Sequence, residues 1–307
     1  MSPRPKRNIA YYVDRRLREL RPAGLVAVDV PAGAGITSAL LAQLGADVRP
    51  LDLFPGGFQV ADLECRRADL GAELPLEQGG ADLLICQEGI EHLPDHLHAL
   101  REFNRARKPG GRLLITTPSV SHLRARLSHL LNASDLYSRL PPTEADSIWL
   151  SDASSTQIYF GHVFLIGAQQ LRVLGRIAAF RIDRVNFTRP SWGSVLLGFL
   201  LPFIAVSNLY GYWHSVRRGK QRSEAWKRSV YRQALRLNLD PKLLFGKYLF
   251  VELVKECELD ETAAHFHELA RGRAPDPSVQ PADTPPARRS PERKAEVLSA
   301  GQAVRRS

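Results

Sequence analysis

Three groups of residues have the types and spacing to do chemistry. Glu88-Gly89-Ile90-Glu91-His92 sets two carboxylates and an imidazole on one turn, which could hold a divalent cation that polarises a bound hydroxyl. Without a metal, His92 is a candidate general base. The second group is Asp29-Val30-Pro31-Ala32-Gly33-Ala34-Gly35, whose alternate glycines let the backbone turn sharply and let a ligand approach where a Cβ would collide. The third is the pair of acids Asp52 and Asp69, each at the end of a segment that reads as a strand. A carboxylate at Asp52 can accept hydrogen bonds from both hydroxyls of a ribose. Asp69 can bond an adenine amino group, or it can cap a turn. No Gly-Lys-Ser/Thr phosphate loop and no third glycine of a dinucleotide fingerprint is present, so a ligand with a ribose but no pyrophosphate fits. The glycines alone fit a tight turn in another α/β protein equally well.

These residues need strands and helices in alternation to bring them together. Residues 24–30 are an uncharged apolar run, a strand buried on both faces, stopped by Pro31. Ile36, Leu40 and Leu44 recur at helical spacing before Gly45, and a second strand leads to Asp52. Residues 8–21 predict a helix with Ile9, Val13, Leu17 and Leu20 on one face. Residues 81–86 form a further buried strand. A helix over 95–108 follows, with Leu97, Leu100, Phe103 and Ala106 toward the sheet, ended by Pro109-Gly110-Gly111 before a fifth strand at 112–116. Helices at 120–131 and 167–174, a sixth strand at 180–185 and a last strand within 243–256 complete a doubly wound, mostly parallel sheet.

The chain has 307 residues and a formal net charge of +10, which suggests an acidic partner, either nucleic acid or an anionic membrane surface. Three cysteines without Cys-x-x-Cys spacing suit a reducing compartment, and the basic N-terminus leads into no apolar signal core, so a cytoplasmic protein is expected. Residues 119–160 read as a lid, with aromatics at Tyr137, Trp149, Tyr159 and Phe160. Residues 188–243 are an insertion. Its apolar run, about the length of a span of roughly 20 residues, is broken by Pro202 and followed by a basic stretch. An apolar hairpin flanked by Trp192 and Trp213 suits the interface of an anionic bilayer, and 192–232 would be a peripheral membrane contact. Packing on the sheet or on a second subunit is the plainer alternative. Residues 259–307 are expected to be a disordered tail.

Taken together, the Asp29–Gly35 turn, Asp52, Asp69, the Glu-Gly-Ile-Glu-His-Leu-Pro segment and residues 99–118 resemble the class I S-adenosylmethionine-dependent methyltransferases, in the branch of the ubiquinone-biosynthesis O-methyltransferases. The resemblance implies a Rossmann-like, seven-stranded domain over 1–187 and 244–258, with S-adenosyl-L-methionine as cofactor. Asp29, Ala32, Gly33 and Gly35 would then shape the methionine pocket, and Asp52 would hold the ribose with Leu53 beside the adenine. Asp69 and Leu70 would hold the adenine edge, and Gln87 would line the pocket below the sulfonium. In some relatives the Glu-x-x-Glu-His motif holds a metal with a later histidine. His162 is the best-matching partner for Glu88, Glu91 and His92, His122 is second, and His92 or His162 is the general base if no metal binds. Pro31, where many relatives carry glycine, and the large insertion depart from the pattern. No Asn/Asp-Pro-Pro-Tyr follows the fourth strand, which disfavours adenine-amino methylation in nucleic acid. The expected function is O-methylation of a lipid-linked, quinone-like or glycan acceptor near the inner face of a membrane. A soluble small-metabolite or RNA methyltransferase is one alternative, and a non-catalytic cofactor-binding scaffold is another.

Overall fold

The computed structural model describes residues 8–138, 140–150, 158–218 and 223–271. Helix α1 (Ile9–Leu20) starts where the Asn8 side chain accepts the Tyr11 N–H at 3.3 Å, and ends through Arg21 in the left-handed region. Then come β1 (Val26–Asp29), α2 (Ile36–Gln43), β2 (Asp47–Asp52), β3 (Arg66–Arg67), β4 (Ala81–Gln87), α3 (His96–Ala106) and β5 (Arg107–Pro118). The second half runs α4 (Leu123–Asn132), α5 (Glu144–Ser147), the short pair β6 (Ile148–Trp149) and β7 (Tyr159–Phe160), α6 (Ala168–Ile177) and β8 (Phe180–Val185). The insertion supplies α7 (Trp192–Leu196), α8 (Leu201–Arg217), α9 (Glu224–Asn238) and α10 (Pro241–Phe245), before β9 (Tyr248–Lys255) and α11 (Thr262–Ala270).

The main sheet has seven strands in the order β3-β2-β1-β4-β5-β9-β8. Strands β1 to β5 pair in parallel, and β9 is antiparallel to both neighbours. Alternation along the buried strands separates the two faces. Leu83 and Ile85 of β4 join Ile9, Val13, Leu17 and Leu41 under α1 and α2. Leu84 and Cys86 join Phe103, Leu171 and Phe180 under α3 and α6. Both faces are therefore covered, as a doubly wound sheet requires. The chain reverses direction across the sheet between β1 and β4, and a crevice opens at their carboxyl ends.

A buried carboxylate fastens α1 to the far side of the sheet. Glu252 on β9 is fully buried; it accepts from Arg16 Nε at 2.6 Å and Nη2 at 2.9 Å, from Asn186 at 2.8 Å and from Arg112 at 3.4 Å.

Several sequence expectations are corrected. Ile36 is 73 % exposed, because α2 turns Thr37, Ser38 and Leu41 inward instead. Helix α3 stops at Ala106, since Arg107 already pairs with Ala81, and the Lys-Pro-Gly-Gly segment belongs to β5. The last strand does fall within 243–256, at Tyr248–Lys255, and its approach, with Leu243 and Leu244, is the helix α10 capped by Asp240. The apolar stretch is no hairpin: Trp192–Arg217 is one helical run of 26 residues with a 3-10 stretch at Leu197–Leu200. Of the expected tail, Thr262–Ala270 is a helix with Leu269 buried, and residues 272–307 lie outside those described.

Candidate active site

The glycine turn leaves β1 at the switch point and is tied to β2 by its backbone. Ala32 N–H donates to Leu51 O at 2.9 Å, Gly35 N–H to Ala32 O at 2.9 Å, and Gly33 N–H to the Asp52 carboxylate at 2.8 Å. The other Asp52 oxygen accepts the Phe54 N–H at 2.8 Å. Each oxygen keeps a second lone pair, so a carboxylate already oriented by two amides can still accept ribose hydroxyls. Gly33 has φ +53° and a Cβ there would meet nothing within 4 Å, so the space over the turn is open.

Gly35 needs to be glycine for another reason than ligand approach. Its φ is +88°, and a Cβ would stand 2.6 Å from Val60 and 2.7 Å from Phe58. The segment after Asp52 thus folds back over the turn, and Gln59 N–H donates to Ala34 O at 3.3 Å.

Asp29 lies beneath the turn, 1 % exposed, and accepts the Ser38 hydroxyl at 2.6 Å. Burial pushes its carboxyl up to about 7, the Ser38 hydrogen bonds oppose this, and the Asp52 charge adds to it. The native state therefore keeps this proton up to about pH 7, whereas the unfolded chain releases it near 3.8. Stability from this group is greatest at low pH and falls as pH rises through that window. Asp29→Asn is expected to remove this slope, so that its stability relative to wild type improves by up to ~4 kcal/mol between pH 4 and pH 8. Chemical denaturation of both proteins at the two pH values measures the difference.

The other cofactor candidates line the same edge. Leu53 and Asp69 are half-buried and Leu70 is buried. Asp69 closes a turn by accepting the Gly71 N–H at 2.8 Å, the capping role that the sequence left open. Gln87, at the end of β4, accepts the Thr37 hydroxyl at 3.1 Å, so the first turn of α2 sets its orientation. The open turn at Gly33, the oriented acid at Asp52 and the fixed amide at Gln87 fit a ligand with a ribose and a short polar tail.

Past β4 the chain turns through Glu88, a non-glycine residue at φ +51°, into a 3-10 turn at Ile90–His92. The described residues bring together Glu91, His92 and His162, whose ligand atoms all lie within 4.8 Å of one another. Glu88 stands outside this group. Glu91 is fully buried, with both carboxylate oxygens unpartnered, and burial pushes it up to about 7, helped by the Glu88 charge. Burial also raises Glu88. His92 Nδ1 lies 2.7 Å from Phe160 O; a carbonyl only accepts, so Nδ1 carries the proton and Nε2 offers a lone pair. The His92 and His162 rings meet edge to face at 5.0 Å. An orphaned carboxylate with two imidazoles fits a divalent transition ion. His122 stands outside this group: its Nδ1 accepts the Ala125 N–H at 2.9 Å as the cap of α4, and burial lowers its pKa to about 4.

Sequence reading missed the link between these two halves. The β6–β7 pair carries Trp149 and Tyr159, stacked at 4.7 Å, and both rings reach Phe54, at 5.5 and 5.0 Å. The β6–β7 pair of the lid thus meets Phe54, two residues from Asp52. Beside it, Phe160 O lies against His92, and just past the lid the Phe164 N–H donates to Glu91 O at 3.3 Å. The lid's aromatics were visible in the sequence, but nothing there assigned them a partner.

With this geometry the class of the matched segment can be stated: residues 28–115 match the family described as "Methyltransferase domain". Its curated relatives include the ubiquinone biosynthesis O-methyltransferase of Xanthomonas axonopodis pv. citri (strain 306), 36 % identical over 34 % of this chain and 47 % of that one. The protein of the same name from Cupriavidus pinatubonensis is 32 % identical over 39 % of this chain and 51 % of its own. The chain thus spans about half the length of these relatives. Among solved structures, an S-adenosylmethionine-dependent methyltransferase from Mesorhizobium loti aligns at 18 % identity and a TM-score of 0.46, over 78 % of this chain and 96 % of that one.

Proposed function

We propose that the protein transfers the methyl group of S-adenosylmethionine to a hydroxyl of a lipid-linked, quinone-like or glycan acceptor presented at a membrane. The observation that carries the reading is the grouping of Glu91, His92 and His162 just past the carboxyl end of β4, where Gly89 packs against Pro31 of the glycine turn. The relatives' name, ubiquinone biosynthesis O-methyltransferase, supports a hydroxyl acceptor.

The cofactor supplies an electrophilic methyl carbon whose in-line transfer depends on holding the acceptor about 3 Å away. Asp52 accepts the ribose hydroxyls, and the open backbone at Gly33 lets the ligand lie against the turn. His92 Nε2 takes the proton that the acceptor hydroxyl loses as its oxygen bonds to carbon and the carbon–sulfur bond breaks. The Trp149–Tyr159–Phe54 cluster ties the lid to the segment after Asp52. Glu91, His92 and His162 would hold a divalent cation, which would supply Lewis-acid polarisation of the hydroxyl in place of the His92 base.

His92→Ala is expected to lower kcat by roughly 10²–10⁴-fold while leaving cofactor affinity unchanged, and single-turnover kinetics with equilibrium binding separates the two. The reading itself is tested by incubating the protein with methyl-tritiated cofactor and fractionated cell extract. Base-stable label in the solvent-extractable fraction supports it. Label confined to RNA or to water-soluble metabolites contradicts the acceptor, and no label in any fraction contradicts the enzyme.

A further inference from the structure

The run Trp192–Arg217 turns large apolar side chains to the outside. Leu196, Phe199, Phe203, Val206 and Tyr210 are each at least 65 % exposed, and only 6 % of its most apolar stretch is buried. Its half-buried face carries Leu200, Leu201 and Ile204 together with the polar Asn208. Asn208 accepts from Asn238 of α9 at 2.8 Å, and Gln169 of α6 donates to Asn238 at 3.2 Å and to Ala234 O at 2.7 Å. A helix in water shows the opposite arrangement, so this outward face fits an apolar surrounding.

We propose that α7–α8 is an in-plane anchor that lies in one leaflet of an anionic bilayer and does not cross it. The inference deepens the membrane-acceptor reading above and rests on it for its purpose. Length alone would permit a span, because about 20 apolar residues suffice. Packing decides against one. Asn208 ties α8 to Asn238 of α9, which carries Lys227, Arg228, Arg232 and Arg236 and cannot enter hydrocarbon. The start of the run is held as firmly: the Arg124 N–H donates to the Ser194 hydroxyl at 3.1 Å, and Ser191 N–H donates to Phe245 O at 2.7 Å. Crossing would tear the run from the fold at both ends, whereas lying flat keeps every one of these bonds.

The occupant follows from charge and ring placement. Residues 192–238 hold eight Lys and Arg against the single acid Glu224, which matches anionic headgroups. Trp192 and Trp213 are exposed near the two ends, and the Arg217 guanidinium lies 3.6 Å over the Trp213 ring, a cation beside an amphipathic aromatic. The anchor also aims the site. Helix α7 rests on the start of α4, which leaves the sheet from the carboxyl end of β5, the edge that carries Gln87 and the glycine turn. An acceptor held in that leaflet is thereby presented to the crevice.

The test uses the full chain with Cys65→Ser and Cys257→Ser, labelled with an environment-sensitive fluorophore at Phe203→Cys or Trp213→Cys. Sedimentation with phosphatidylglycerol/phosphatidylcholine vesicles is expected to exceed that with phosphatidylcholine alone by roughly tenfold or more, and to fall as salt rises. Depth-dependent quenching should place both labels at the same shallow level, ~5–10 Å below the headgroups. Phe203→Asp with Val206→Asp should lower vesicle binding by at least about tenfold and leave cofactor affinity unchanged, which separates this inference from the cofactor reading. A Phe203 label at the bilayer centre would mean a span and overturn it. So would equal binding to neutral vesicles, or no vesicle binding with the apolar face closed in a dimer.

Discussion

Asp52→Ala is expected to weaken S-adenosylmethionine binding by roughly 10²–10³-fold, the sum of two charged hydrogen bonds to ribose hydroxyls at about 1.5–3 kcal/mol each, less what water restores. The loss has a second source. Asp52 already holds the Gly33 and Phe54 amides at 2.8 Å, so alanine also releases the turn and the segment that covers Gly35. Asp52→Asn keeps an oxygen acceptor and should fall between the two. Calorimetric titration gives the affinities, and a thermal melt without cofactor gives the cost to the turn. A variant that keeps wild-type affinity would remove Asp52 from the site.

The largest effect on folding is expected at Glu252. Glu252→Ala leaves Arg16, nearly buried against it, without its partner and strips Asn186 and Arg112 of an acceptor. Breaking a buried charge pair on one side costs about 3–5 kcal/mol, far above the loss at a solvent-screened pair such as Arg18–Asp14. Denaturant melts should show that loss for Glu252→Ala and almost none for Asp14→Ala. Replacing both partners, Glu252→Leu with Arg16→Leu, should recover part of the stability, because no charge is then left buried. An equal, small loss at both sites would contradict the role assigned to Glu252.

What was legible in the sequence was what depends on short spacing. The turn from Asp29 to Gly35 and the acid at Asp52 are fixed by residue type within one strand–helix–strand unit, and the structure joins them by the Gly33–Asp52 bond. Glu91 and His92 are neighbours on one turn and were legible for the same reason. His162 was reachable only through the family resemblance, because 70 residues separate it from His92 and no local pattern ties the two. The clasp of Phe54 with Trp149 and Tyr159 was illegible, since ring contacts across a lid leave no periodic trace. The same holds for Phe58 and Val60 over Gly35, which convert a glycine read as ligand space into one required by packing. Lys108-Pro109-Gly110-Gly111 misled because breakers read as a helix stop and a turn, whereas the pairing of Ala81 with Arg107 carries the strand through them. In the insertion, composition gave the apolar run. Which face of it met the protein was set by Asn208, Asn238 and Gln169, on three different helices.

The claim on which the rest depends is that the glycine turn and Asp52 form an S-adenosylmethionine site. Isothermal titration of the full chain with S-adenosylmethionine tests it most directly. The expected result is a single saturable site in the micromolar range, displaced by S-adenosylhomocysteine and lost in Asp52→Ala. No heat at millimolar cofactor, or binding that Asp52→Ala leaves untouched, would contradict the account.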